Sequence, residues 1–190
     1  MLTNMQISTK RFLLRYFEDA EVSAFVAYHA DPRSHEFYGI EHRDPEHARK
    51  LLKLFKDWAE EVPRLNYQLA IIRRDVTQPL IGCCGLRTGE SEPGRAELGI
   101  ELAPDFWGRY RYALEIIQAL VEFGFNKLGL REIYGGTVSE NRRIARLAES
   151  LGATAEVKPG PAWMVERGWY QVEWRISRAQ WRAPQLSAGR

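Results

Sequence analysis

The feature that most limits what this chain can fold into is an alternating strand feeding a long amphipathic helix. From Ala113 the positions Ile116, Ile117, Leu120, Phe123, Gly124 and Leu128 recur at spacings of three and four, which lines up one apolar stripe of an α-helix. Gly129 follows as a C-terminal cap. Just upstream, RAELGIEL (residues 95–102) alternates apolar and polar residues. In a strand this puts Leu98, Ile100 and Leu102 on one face and Glu97, Gly99 and Glu101 on the other. The connection, PDFWGRYRY, carries Arg109 and Arg111 to the helix's front end, where cations oppose the macrodipole. A bound anion would reverse that cost, because the free N–H groups of a first helical turn cradle phosphate. Otherwise the two arginines simply extend into water. Charge alone leaves both readings open.

The rest of the chain supplies a sheet for that helix to cover. RFLLRYF (11–17) reads as a strand, and Glu18-Asp19 opens a helix through Val22, Phe25, Val26 and His29 that stops at Asp31-Pro32. Asp44-Pro45-Glu46 starts a second helix, running through Ala48, Leu51, Leu52, Phe55, Trp58 and Ala59 to Pro63. YQLAIIR (67–73) and LIGCCGL (80–86) form an antiparallel pair, EIYGGTV (132–138) is a further strand, Asn141 to Leu151 a helix closed by Gly152, and WYQVEWRI (169–176) a last strand. Strands and helices mixed in this order specify an α+β or α/β domain with a mixed sheet. One domain over residues 1–182 with a loose tail over 183–190 is expected, without internal repeats or a linker.

Composition narrows the function. The 190 residues carry 27 basic and 25 acidic side chains, a net charge of +2. That is no global field for a nucleic acid or an anionic membrane, although the interleaved arginines and tyrosines of 109–112 resemble a small stacking patch. No apolar run is long enough for a membrane span, and the first residues lack the apolar region of a secretory signal, so a cytoplasmic setting is expected. Cys83 and Cys84 are adjacent, point to opposite faces of a strand and read as packing residues. His29, His35, His42 and His47 do not share one element at ligand spacing, so no metal is expected. Most of the tryptophans, Trp163, Trp169, Trp174 and Trp181 among them, read as packing residues.

The order of RFLLR, LIGCCGL, AELGIELAPDFWGRYRYALE, the helix ending in FGFNKLGL, and VSENRRIARLAESLGA resembles the GNAT superfamily of acyl-CoA-dependent N-acyltransferases, over about Thr9 to Trp181. The branch it most resembles contains the ribosomal-protein alanine acetyltransferases. The resemblance implies an α+β, three-layer fold whose central mixed, mostly antiparallel sheet is splayed between its fourth and fifth strands and flanked by helices. It implies an enzyme, a monomer or homodimer, that moves an acetyl group from acetyl-CoA to a primary amine on a small molecule, a peptide or a protein N-terminus. A non-catalytic CoA-binding or protein-interaction domain of the same fold is the alternative.

By the same resemblance, Trp107, Gly108, Arg109, Tyr110, Arg111, Tyr112 and Ala113 hold the CoA pyrophosphate, Asn141 contacts the cofactor arm, and Ile100 and Leu102 border it. The loop departs from the family: Gly108 stands where Gln or Arg is common, Arg111 replaces the central Gly, and the loop is one residue longer. A residue other than Gly at 111 can donate its N–H if its φ is negative. Asn141 also reads as a helix N-cap. A carboxylate of the fourth strand is expected as the base, Glu97 first and Glu101 second, although either could lie on a solvated face. The amide of Ile100 or Glu101 would meet the thioester carbonyl. Ala148 and Ile144 stand where relatives have a tyrosine acid and a small polar residue. Ser139 or water is then left to protonate the thiolate, which at a thiol pKa of about 8.5 leaves readily. The segment SHEFYGIEHRDPEH (34–47) either shapes the acceptor pocket or forms a solvated loop.

Overall fold

The computed structural model describes residues 5–77, 79–109 and 111–181; the expected tail over 183–190 and Tyr110 of the phosphate loop lie outside them. The elements are β1 (Gln6–Ser8), β2 (Phe12–Arg15), α1 (Val22–Ala30), α2 (Pro45–Glu60), β3 (Asn66–Arg73), β4 (Leu80–Arg87) and β5 (Arg95–Leu102). They continue as α3 (Tyr112–Asn126), β6 (Glu132–Val138), α4 (Arg142–Ser150), β7 (Thr154–Lys158), α5 (Ala162–Glu166) and β8 (Gln171–Ser177). The strands form one sheet in the order β1-β2-β3-β4-β5-β6-β8-β7, antiparallel except for the parallel pair β5–β6. This is the mixed, mostly antiparallel sheet expected.

Local chemistry accounts for the boundaries. The first helix was expected from Glu18, but Asp19–Glu21 is a 3-10 turn and α1 begins at Val22. The Glu21 carboxylate turns back to accept the Glu18 N–H at 2.7 Å and binds Arg15 at 2.5 Å, which tightens that turn. Asp44 caps α2 by accepting the Glu46 N–H at 2.9 Å, with Pro45 in the first turn. β7 was not expected: its residues are mostly exposed and lack alternation, so its register with β8 rests on main-chain pairing at a sheet edge.

Two apolar cores sandwich the sheet. On one face Ile116, Leu120, Val121 and Phe125 of α3 pack on Phe12, Leu14, Leu69, Ile71, Cys84 and Leu86. On the other, Phe25 and Tyr28 of α1 and Leu52 and Phe55 of α2 cover Ala70, Ile72 and Cys83. Cys83 and Cys84 thus serve opposite cores, as strand alternation requires. Arg11 ties the front of α3 to the sheet: its N–H and Nε donate to Glu115 at 2.8 and 2.6 Å.

The sheet opens between β5 and β6. Their register covers only Arg95↔Glu132, Ala96↔Ile133 and Glu97↔Tyr134, while β5 stays paired with β4 as far as Leu102. At the point of divergence a Cβ on Gly135 would lie 2.9 Å from the Leu98 carbonyl, so the close approach depends on glycine.

Candidate active site

The main chain of β5 sorts its groups between the two neighbours. The Ala103 N–H donates to Ile81 on β4 at 2.8 Å, and the Glu101 carbonyl faces Gly82 on the same strand. By alternation, the groups of Leu98, Ile100 and Leu102 point the other way, toward β6. The Leu98 carbonyl lies against Gly135; beyond it the strands have parted, and the Ile100 amide faces the gap. Of the two amides expected to polarise a carbonyl, only that of Ile100 has this orientation. Trp107 closes the far end by donating its Nε1–H to the Leu102 carbonyl at 2.6 Å.

A cavity of about 790 Å³ occupies the gap. Glu97, Ile100, Glu101, Leu102, Trp107, Gly108, Arg109, Arg111, Tyr112, Ala113 and Asn141 all line it, so the structure gathers every described candidate except Ser139. That hydroxyl instead accepts the Tyr170 N–H at 3.4 Å. A second lobe of about 510 Å³, with Tyr38, Glu97, Ile100, Glu101 and Asn141 in its wall too, continues toward Leu51, Phe55 and Trp58 of α2.

Gly108 and Arg111 both take left-handed conformations, with φ of 66° and 57°. The condition set for an N–H donor at Arg111, a negative φ, is therefore not met. The loop turns into α3 through the backbone shape a glycine would adopt there, at a cost of about 1–2 kcal/mol for a side-chain-bearing residue. The Arg111 side chain makes no capping hydrogen bond at the start of α3. The Tyr112 N–H already donates to the Arg109 carbonyl at 3.1 Å, which leaves the amides of Ala113 and Leu114 as the first-turn donors without intrahelical acceptors, and both residues sit on the cavity wall. Arg109 and Arg111 are exposed beside them. The cradle thus fits a diphosphate by main-chain donors, dipole and flanking charge together. Asn141 meets one of its two expectations directly, since its Oδ1 accepts the Ile144 N–H at 3.3 Å as the cap of α4.

The two carboxylates live in different surroundings. Glu97 is 43% exposed and paired with Arg87 at 3.2 Å, which also reaches Gln68 at 3.2 Å. Glu101 is largely buried. Its Oε2 accepts the Tyr38 hydroxyl at 3.2 Å, and its Oε1 lies 3.0 Å from His29 Nε2. Burial raises its carboxyl to about 7, only partly offset by the hydrogen bond from Tyr38. Burial lowers the imidazole of His29 to about 4. Sequence reasoning placed His29 in the apolar stripe of the first helix and did not assign it to the site. The signal available was a lone polar residue on that stripe. Tyr38 resolves the reading of 34–47 in favour of a pocket-forming segment. Among the described residues, no group of His, Cys, Asp and Glu is arranged to hold a metal.

Residues 11–154 match the family model described as "Acetyltransferase (GNAT) domain". The uncharacterized N-acetyltransferase YoaA of Bacillus subtilis (strain 168) is 30% identical over 151 residues, 79% of this chain and 83% of that one. Two solved structures share the fold. The spermidine N-acetyltransferase of Vibrio cholerae, in complex with CoA and spermine, has a TM-score of 0.70 at 18% identity, covering 90% and 98% of the two chains. The ribosomal-protein-S5-alanine acetyltransferase of Vibrio fischeri has a TM-score of 0.72 at 12% identity, covering 94% and 100%. With a splayed sheet and a family match over most of its length, this chain belongs to the GNAT acetyltransferases, enzymes that use acetyl-CoA.

Proposed function

We propose that the protein acetylates a primary amine by direct attack, with Glu101 as the general base. The observation that carries this reading is a buried carboxylate, raised to about 7, in the wall of the same cavity as the phosphate cradle and the Ile100 amide. The first turn of α3 with Trp107, Gly108, Arg109, Arg111, Tyr112 and Ala113 would hold the diphosphate. Acetyl-CoA, when bound, supplies the thioester carbonyl carbon that the amine attacks. The Ile100 N–H, which faces the gap, would donate to the carbonyl oxygen as negative charge develops there. Glu101 removes the proton that makes the amine unreactive. Glu97 is second choice because its charge is already engaged by Arg87. With Ala148 and Ile144 lacking acidic protons and Ser139 turned to Tyr170, solvent protonates the thiolate.

Two acceptors have specific support. The motif order favours a protein N-terminus of the ribosomal-protein alanine kind. The inner lobe, walled by Leu51, Phe55, Trp58 and Tyr38, favours a single amine with an apolar body. Acetyl transfer to a panel holding an Ala-initiated peptide, an arylalkylamine and a polyamine tests both. No turnover with any amine overturns the transferase reading, and a preference for the polyamine overturns both acceptor assignments. Drawing on acetyl-CoA agrees with the cytoplasmic setting expected above.

A further inference from the structure

His29 and Glu101 meet in an arrangement that ordinary protonation states leave unsatisfied. His29 is buried on α1, and its Nδ1 lies 2.9 Å from the Phe25 carbonyl. A carbonyl can only accept, so Nδ1 carries the hydrogen and Nε2 of the neutral ring is a lone pair. That lone pair faces Glu101 Oε1 at 3.0 Å, and Oε1 is itself buried with no donor. Two acceptors at this distance repel unless one proton lies between them.

We propose that His29 is the positioning residue for Glu101, the two side chains forming one proton-holding pair in which His29 Nε2 accepts a hydrogen bond from the proton that Glu101 takes off the amine. The proposal rests on the acetyl-transfer reading for its chemistry, but the pair itself is a property of the resting protein. The amine's N–H electrons stay on nitrogen as the attacking lone pair, and the proton becomes the Glu101 O–H, held against Nε2. Release of that proton to solvent restores the carboxylate. Nothing else is consumed.

Neither the phenols nor the thiol around the pair ionises near neutral pH. Tyr28 on α1 and Tyr38 after it are both raised well above their ordinary range and keep their protons, Tyr38 giving its own to Oε2 while the Tyr28 hydroxyl is buried with no hydrogen-bond partner among the described residues, and burial pushes the Cys83 thiol on β4 up to about 12. His35 and His47 also act on Glu101 through charge. Arg87 on β4 is committed to Glu97, the other carboxylate of β5. The low imidazole value agrees with a ring that stays neutral and receives a hydrogen bond.

Nitrogen-15 and carbon-13 titrations of the intact protein, labelled in histidine and glutamate, test the pair without any turnover. The expected result is a His29 ring protonated at Nδ1, with its Nε2 signal and the Glu101 carboxyl signal shifting together near pH 7. In His29→Gln the carboxyl titration moves down toward the ordinary carboxylate range, and the acid limb of kcat/KM moves with it; a merely structural role would lower the rate without moving the limb. In Glu101→Gln the Nε2 step near pH 7 disappears, which covers the case in which His29→Gln fails to fold. A Glu101 that titrates as an ordinary carboxylate in the wild type, a titration unmoved by His29→Gln, or an Nε2 step that survives Glu101→Gln overturns the proposal. If the coupled titration is found but no amine is acetylated, the transferase reading fails and the pair stands.

Discussion

At the level of single residues, the site is decided by which carboxylate is the more deeply buried, Glu101 at 21% side-chain exposure against Glu97 at 43%. Glu97 and Glu101 are two positions apart on one strand face, yet one is answered by an arginine and the other by an imidazole and a phenol. Glu101→Gln should therefore lower kcat by roughly 10²–10⁴-fold, the usual value of a positioned base, while Glu97→Gln leaves most of it; saturation kinetics on both variants checks this. The wild-type rate should rise with pH through about 7, where Glu101 loses its proton. Stability carries the same signature with two signs. Glu101, raised from its ordinary 4.5 to about 7, contributes stability below pH 4.5 that is lost as pH rises through about 7. His29, lowered from 6.5 to about 4, contributes stability above pH 6.5 that is lost as pH falls through about 4. The two slopes oppose each other across the shared window. Glu101→Gln removes the first, so melts of that variant between pH 4 and 6.5 should show stability rising with pH more steeply than in the wild type.

At the level of elements, glycines and one arginine set how strand and helix approach. Gly124 lies on the buried face of α3, where a Cβ would come within 2.9 Å of both Ile133 and Leu86 side chains. The usual gain of about 1 kcal/mol from replacing a helical glycine by alanine should be absent there, and Gly124→Val should cost about 1–3 kcal/mol in denaturant unfolding. The turn into α3 behaves differently. Arg111 holds a left-handed conformation, so Arg111→Gly should keep or raise unfolding stability while weakening CoA affinity through the lost charge. Arg111→Val should cost stability, because a β-branched residue is poorly tolerated at this φ. Calorimetry of the two variants separates the backbone requirement from the charge.

At the level of the whole molecule, the cavity exists because two sheet halves part above Glu97, and a ligand that spans the gap should bind the folded state alone. CoA at about 100 times its dissociation constant should add about 2.7 kcal/mol, a rise in Tm of several degrees for a chain of this size. A thermal shift titration reads it directly, and no shift at millimolar CoA would remove the cradle assignment. Much of this architecture was legible in the residues: the ranges of β5 and β6 and nearly all of α3 follow from periods of two and near 3.6, which are local properties of the chain. β7 was not legible, since an exposed edge strand is held by main-chain bonds that leave no side-chain pattern. The left-handed Arg111 was hidden for a related reason: φ at a loop position is imposed by how the flanking elements are docked. Sequence by itself determined the order of elements from β2 through α4, the face on which Glu97 and Glu101 lie and the loop that lines the cavity. Only the tertiary structure decided that Glu101, rather than Glu97, is buried against His29 and Tyr38. Burial and proton sharing depend on side chains brought together from α1, the segment after it and β5, far apart in the chain, and no local pattern encodes that meeting.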